Sequence, residues 1–352
     1  MNPQTRRPLL CAAALVTALA LTAAARGNDD DAAPATTQAE PAAETIPEVA
    51  LPDAPGADGA NVVLLTVTEE CEYCALHLRS FRETALAAGI NLDVKINDFD
   101  PAVQANQVDQ ALSQNPDLIV LWPADASALI PSIRNINEAG IPLVITNSAP
   151  DEEFADLWLT FTGPDDYGNG VSAAQAMIQG FEASGVGDVG TVFVITGVPG
   201  TPPQIQRLAG FVDTLAAEAP GIEVVADQAG DWDQTQATEA AAALFTQHPN
   251  VNGVYAQADN MLAGVIVAAQ RAGIEPSSLT LVGSNCSIEG VTAIEEGTQY
   301  ASVLQSPIDD GRVAAEATVA LLNGESVDSV VFLPNPIITA DNVQDCFDAV
   351  GR

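Results

Sequence analysis

"NVVLLTVTEECEYCALHLRSFRETALAAGINLDVKI", residues 61–96, opens with an apolar run of strand type. It continues with apolar residues at helical spacing up to Gly89 and closes on a second strand-like run. Between the first strand and the helix stand Cys71, Glu72, Tyr73 and Cys74. Strand, C-x-x-C, helix is how a dithiol redox site is written. It is equally how the first crossover of a longer parallel α/β lobe begins. These residues leave both readings open, and the flanking chain must separate them.

Working outward, the alternation persists. "PAVQANQVDQALSQ" has helical spacing, "PDLIVLW" is a strand, "SALIPSIRNINEAG" a helix and "IPLVITN" a strand. The rhythm restarts at "GTVFVITG" and runs through "LTLVGSN" near residue 285. Strands that are nearly continuous apolar runs, alternating with helices, predict parallel sheets covered on both faces. Two such runs predict an α/β fold of two similar doubly wound lobes. The late segments "ASVLQSP", "DDGRVAAEATVALLNGE" and "VVFLPNPIIT" are extra to two complete lobes. They predict a chain that crosses between lobes several times, which makes a hinge. The expected first lobe is 60–163 plus about 308–326, and the second 164–307 plus about 327–352.

The 352 residues include 47 acidic and 11 basic ones, a formal net charge of −36, and Lys95 is the single lysine. Such a surface repels phosphate backbones and excludes nucleic acid as a partner. Residues 1–25, with Arg6 and Arg7 before an Ala- and Leu-rich core ending in Ala23-Ala24-Ala25, read as a secretory signal. "AAARGNDDD" is similar to the end of a lipoprotein signal, but Arg26 stands where a lipid-bearing cysteine would be, which speaks against a lipid anchor. Residues 26–59, rich in Asp, Glu, Ala, Pro and Thr, are expected to form a tether without fold.

The chain resembles the type I periplasmic binding proteins, in particular the ribose-binding branch that serves sugar ABC transporters. The resemblance rests on "AGIPLVITN", "DDYGNGVSAAQAM", "GVPGTPPQIQRLAGF", "HPNVNGVYAQADNMLAGVIVAAQRAG", "LVGSNCSIEGVTAIEEG" and "QSPIDDGRVAAEATVALLNGE", in that order. It implies an exported solute-binding protein that closes two lobes over a sugar or polyol, works with a membrane permease, and is a monomer without cofactor.

In open α/β sheets ligands sit beyond the carboxyl ends of the strands. Those ends carry Glu70, Tyr73, Trp122, Asn147, Arg207, Trp232, Asp259, Asn285 and Gln305. Aromatic faces suit sugar C–H surfaces, and planar polar groups suit hydroxyls. By the resemblance, Tyr73 and Trp232 match aromatic contacts, Arg207 lies in the helix that supplies an arginine, and Asn285 and Gln305 match polar contacts. Asn147-Ser148 stands where the family often has Asp-Arg, so the site is no copy of a ribose site. Glu69, Glu70 and Glu72 make one lip acidic, which would suit a cationic amine. The structural alternatives are that Asp259 and Asn285 cap helices, that the glutamates are solvated, and that Arg207 is a surface ion-pair partner.

No H-E-x-x-H, G-x-S-x-G, Walker loop or G-x-G-x-x-G stands in the chain, and neither enzyme chemistry nor a metal is expected. Glutamates around Cys71 and Cys74 would raise their thiol pKa values, against the thiol–disulfide oxidoreductase alternative. In an oxidising compartment this pair is expected to form a disulfide that aims Tyr73, with Cys286 and Cys346 the other candidates to pair. A sensor subunit on the same fold remains a further alternative.

Overall fold

The computed structural model describes residues 46–350. A short strand β1 (Glu48–Val49) precedes β2 (Asn61–Thr66), α1 (Glu72–Ala87), β3 (Asn91–Ile96) and α2 (Pro101–Gln114). β4 (Leu118–Leu121), α3 (Ile130–Glu138), β5 (Leu143–Thr146) and β6 (Thr160–Pro164) follow. The second run is α4 (Asp166–Ser184), β7 (Gly190–Thr196), α5 (Pro202–Glu218), β8 (Ile222–Ala229), α6 (Gln234–Gln247) and β9 (Gly253–Ala256). It continues with α7 (Asp259–Arg271), β10 (Thr280–Ser284), α8 (Ile288–Glu295) and β11 (Ala301–Val303). Last come α9 (Pro307–Leu322), β12 (Val327–Asp328), β13 (Val330–Leu333), β14 (Ile337–Ile338) and α10 (Gln344–Ala349).

Two six-stranded sheets result, in the orders β13-β6-β5-β4-β2-β3 and β14-β11-β10-β9-β7-β8. All their pairings are parallel except β11 with β14. The strand period of two explains the double coverage. Val62 and Leu64 of β2 pack with Leu78 and Phe81 of α1 and with Ala314 and Leu321 of α9. Val63 and Leu65 face the other way, toward Val108 of α2 and Ile133 and Ile136 of α3. In β7, Phe193 and Ile195 meet α6 and α7, while Val192 and Val194 meet α4 and α5. The expected two doubly wound lobes are what the chain forms.

Local chemistry starts the helices. Asp100 caps α2 by accepting from the amides of Ala102 and Val103, with Pro101 at the first position. Asp165 caps α4 through the Gly168 amide, and Asp233 caps α6 through that of Gln236.

Two expectations are corrected. The signal and the tether up to residue 45 lie outside the described residues, but the tether does not extend to 59. β1 pairs antiparallel with β12, the Gly56 amide donates to the Leu322 carbonyl at 2.8 Å, and Ala57 is buried. The return to the second lobe also comes later than 327, because β13 extends the first sheet beside β6. The chain therefore crosses between sheets after β6, after β11 and after β13.

Candidate functional site

The polar residues that matter stand where strands end. Asn147 follows β5, Trp232 lies beyond β8, Asn285 follows β10 and Gln305 lies two residues past β11. Asn147, Trp232 and Asn285 hold φ at 63°, 59° and 91°. Non-glycine residues in this left-handed region are sparsely populated and concentrate at functional sites.

One hydrogen-bonded chain runs from the first lobe to the second. The Tyr73 hydroxyl on α1 donates to Asp310 Oδ2 on α9 at 2.9 Å, and Asn147 Nδ2 donates to the same oxygen at 2.8 Å. Gln305 Nε2 donates to the Tyr73 oxygen at 2.9 Å. Arg207 Nη2 on α5 donates to Gln305 Oε1 at 2.6 Å, and Arg207 Nε donates to Asp166 Oδ1 on α4 at 2.8 Å. Arg207 Nη1 reaches the Gln257 carbonyl at 2.8 Å and Asn285 Oδ1 at 3.4 Å.

Trp232 covers this guanidinium, with Arg207 Cζ 5.6 Å from the ring centroid. The indole lies so close to the Gly197 backbone that a Cβ there would overlap its six-membered ring. Asn260 Nδ2 donates to the Trp232 carbonyl at 2.7 Å and holds the loop. On the first lobe, Trp122 is buried beside Tyr73 and His77, with ring centroids at 6.2 and 4.8 Å. It backs Tyr73 as part of a small cluster with Val67 and Cys74.

The electrostatics are set by burial. Burial opposes the Arg207 charge most strongly, but Asp166, Tyr255 and Tyr73 together outweigh it and the guanidinium's pKa is raised. Burial also raises Asp166 against the pull of Arg207. With a guanidinium that does not deprotonate at 2.8 Å, the pair is held as an ion pair. Asp310 is pushed up to about 7 by burial, against the hydrogen bonds from Asn147 and Tyr73. Burial raises Tyr73 well above its ordinary value, helped by Asp310, and drops His77 to about 3.

Tyr73, Asn147, Arg207, Trp232, Asn285 and Gln305 are thus brought together, with Trp122 behind them. Asp259 is not. Its Oδ1 accepts from Gln299 Nε2, its Oδ2 accepts from the Ser302 hydroxyl and the Ser287 amide, and it is buried inside the second lobe. Glu70 is exposed at the lip, beyond the chain of hydrogen bonds. Asp310, Asp166, His77 and Gln257 were not singled out as site residues from sequence, whereas Asn260 stands at the same strand end as Asp259. A concavity of about 700 Å³ beside Asn61, Ile90 and Asn91 lies at the opposite strand ends and is remote from these groups.

Cys71 and Cys74 are joined by a disulfide, as are Cys286 and Cys346. The first caps α1 through Cys71, two residues before Tyr73, and the second ties α10 to the residue after Asn285. Among the described residues there is no group of three metal-ligating side chains and no helix long and apolar enough to cross a membrane.

Two α/β lobes with a polar set converging between their strand ends define a two-lobed solute-binding architecture. Residues 62–326 match the periplasmic binding protein domain, and the chain belongs to that family. It is 29% identical over 267 residues to the xylitol-binding protein of Mycolicibacterium smegmatis, covering 76% of this chain and 73% of that one. It is 25% identical over 256 residues to the ribose import binding protein of Bacillus subtilis, covering 73% and 79%. Among solved structures, a periplasmic solute-binding protein of an ABC transporter from Actinobacillus succinogenes with bound D-allose matches with a TM-score of 0.72 at 25% identity, covering 81% and 99%. A solute-binding protein from Bacillus halodurans with bound myo-inositol has the same fold, with a TM-score of 0.74 at 22% identity, covering 83% and 99%.

Proposed function

We propose that the protein is an exported solute-binding protein of an ABC importer. It closes its lobes over a sugar or polyol and delivers it to a membrane permease, without catalysing a reaction. The carrying observation is the chain Asp310–Tyr73–Gln305–Arg207–Asp166, which links the lobes at the strand ends through side chains suited to hydroxyls. The relatives that bind xylitol and ribose, and the neighbour with D-allose, support the same ligand class. In this reading Trp232 is the stacking face, and Tyr73, Asn147, Arg207, Asn285 and Gln305 exchange their mutual bonds for bonds to the ligand. The partner is the permease, and a monomer suffices for closure. Calorimetry with pentoses, hexoses, inositols and linear polyols tests it. Saturable one-to-one binding of at least one is expected, and absence of binding across the panel would overturn the proposal.

A further inference from the structure

The cleft holds a buried carboxyl group that no cation among the described residues pairs. Arg207 spends its charge on Asp166 at 2.8 Å, and its remaining donors go to Gln257, Asn285 and Gln305. Asp310 has no such partner. It is fully buried, its Oδ2 accepts from Tyr73 and Asn147, and its Oδ1 accepts from nothing among the described residues. Among the described residues the one basic side chain within 4.0 Å is His77, at 3.9 Å, and burial holds that ring neutral.

A buried carboxylate is costly unless it is paired with a cation and hydrogen-bonded on both oxygens. Hydroxyls alone do not require one, since amides such as Asn147 and Gln305 satisfy them at less cost. A carboxyl group kept between two proposed ligand contacts, with one oxygen unpartnered, fits a ligand that brings a cation to pair with it once ionised. Resting on the reading of the cleft as a sugar or polyol site, we propose that the ligand carries a protonated amine that pairs with Asp310: an amino sugar or an aminopolyol. Glu70, exposed at the lip, and the net charge of −36 draw such a cation toward the cleft. A neutral analogue leaves Asp310 unpaired and is discriminated against.

The test is calorimetry on the mature chain at about pH 7, where the ligand amine is still protonated and Asp310, raised to about 7, can ionise against it. Matched pairs are compared: glucosamine with glucose, galactosamine with galactose, and an aminocyclitol with myo-inositol. The expected result is that one amine binds at least about tenfold tighter than its neutral parent. Asp310→Asn, with its thermal midpoint checked, should bring that amine to the level of its parent, and Asp310→Glu should restore part of the preference. If Asp310→Asn does not fold, acetylation of the ligand's nitrogen removes the charge from the other side and should abolish the preference. Neutral parents that bind as tightly as their amines overturn the proposal and leave the sugar or polyol reading standing. A preference that persists in Asp310→Asn removes Asp310 as the anchor. Binding by neither class overturns both.

Discussion

Arg207 and Gln305 meet at 2.6 Å, a side chain of the second lobe held by a side chain of the crossover that leads into the first. Through Gln305 the guanidinium is connected to Tyr73 on α1, so the contact ties lobe position to the state of the cleft. In the proposed function, closure and recognition use the same atoms.

Replacing Arg207 by Met tests this directly. The substitution leaves Asp166 buried without its cation, and breaking such a pair costs on the order of 3–5 kcal/mol. A large drop in the thermal midpoint is expected together with loss of ligand binding. A midpoint near that of the wild type would mean that Asp166 does not depend on Arg207 as a buried ion-pair partner.

Gly197→Ala should act on a residue it does not replace. Its Cβ overlaps the Trp232 ring, so the indole must leave its place over Arg207. Ligand affinity in Gly197→Ala should then fall to that of Trp232→Ala, with a shift in tryptophan emission. Wild-type affinity in Gly197→Ala would deny Trp232 its role.

Stability of the unliganded protein should rise as pH falls from about 8 to about 5.5. Asp259 and Asp310 titrate near 7 when folded, against 3.8 in an unfolded chain, so the native state holds two extra protons below about 7. Their contribution is fully present below 3.8 and is lost as pH rises through about 7. His77 opposes it below 6.5, because only the unfolded ring takes up a proton before about pH 3. The thermal midpoint should therefore climb on acidification, less in Asp310→Asn and more in His77→Leu. A wild-type midpoint that falls over this range would refute the assignment.

A chain beginning at Asn61 should melt below one beginning at Ile46. It lacks β1, the Gly56 amide bonded to Leu322, and the buried side chain of Ala57. Equal midpoints in differential scanning calorimetry would show that residues 46–60 add nothing.

The lobes were legible because buried parallel strands are continuous apolar runs, and runs such as Leu118–Leu121 cannot be mistaken for loops. The segment 46–59 was not. Its composition is that of a linker, and its pairing partner lies some 280 residues away, at Val327–Asp328. Asp310 was hidden for a related reason. One acid among 47 carries no signal until α9 crosses back and sets it beside Tyr73 and Asn147. Asp259 shows the reverse error. It stands at a strand end like the others, yet Ser302 and Gln299, residues around the neighbouring β11, turn its carboxylate inward. Position along a strand is readable from sequence, whereas the direction of a side chain depends on neighbours that are distant in the chain.

The sheet orders also set a timetable for synthesis. The first lobe takes α9 into its core and β13 onto its edge, so it cannot be finished until residue 333 has left the ribosome. The strands β7 to β11 of the second lobe are contiguous in the chain and need only β14 afterwards. Domains of a nascent chain ordinarily fold in the order they emerge. Here the lobe that starts first finishes with the last tenth of the chain, and for most of translation it waits with the outer edge of β6 open.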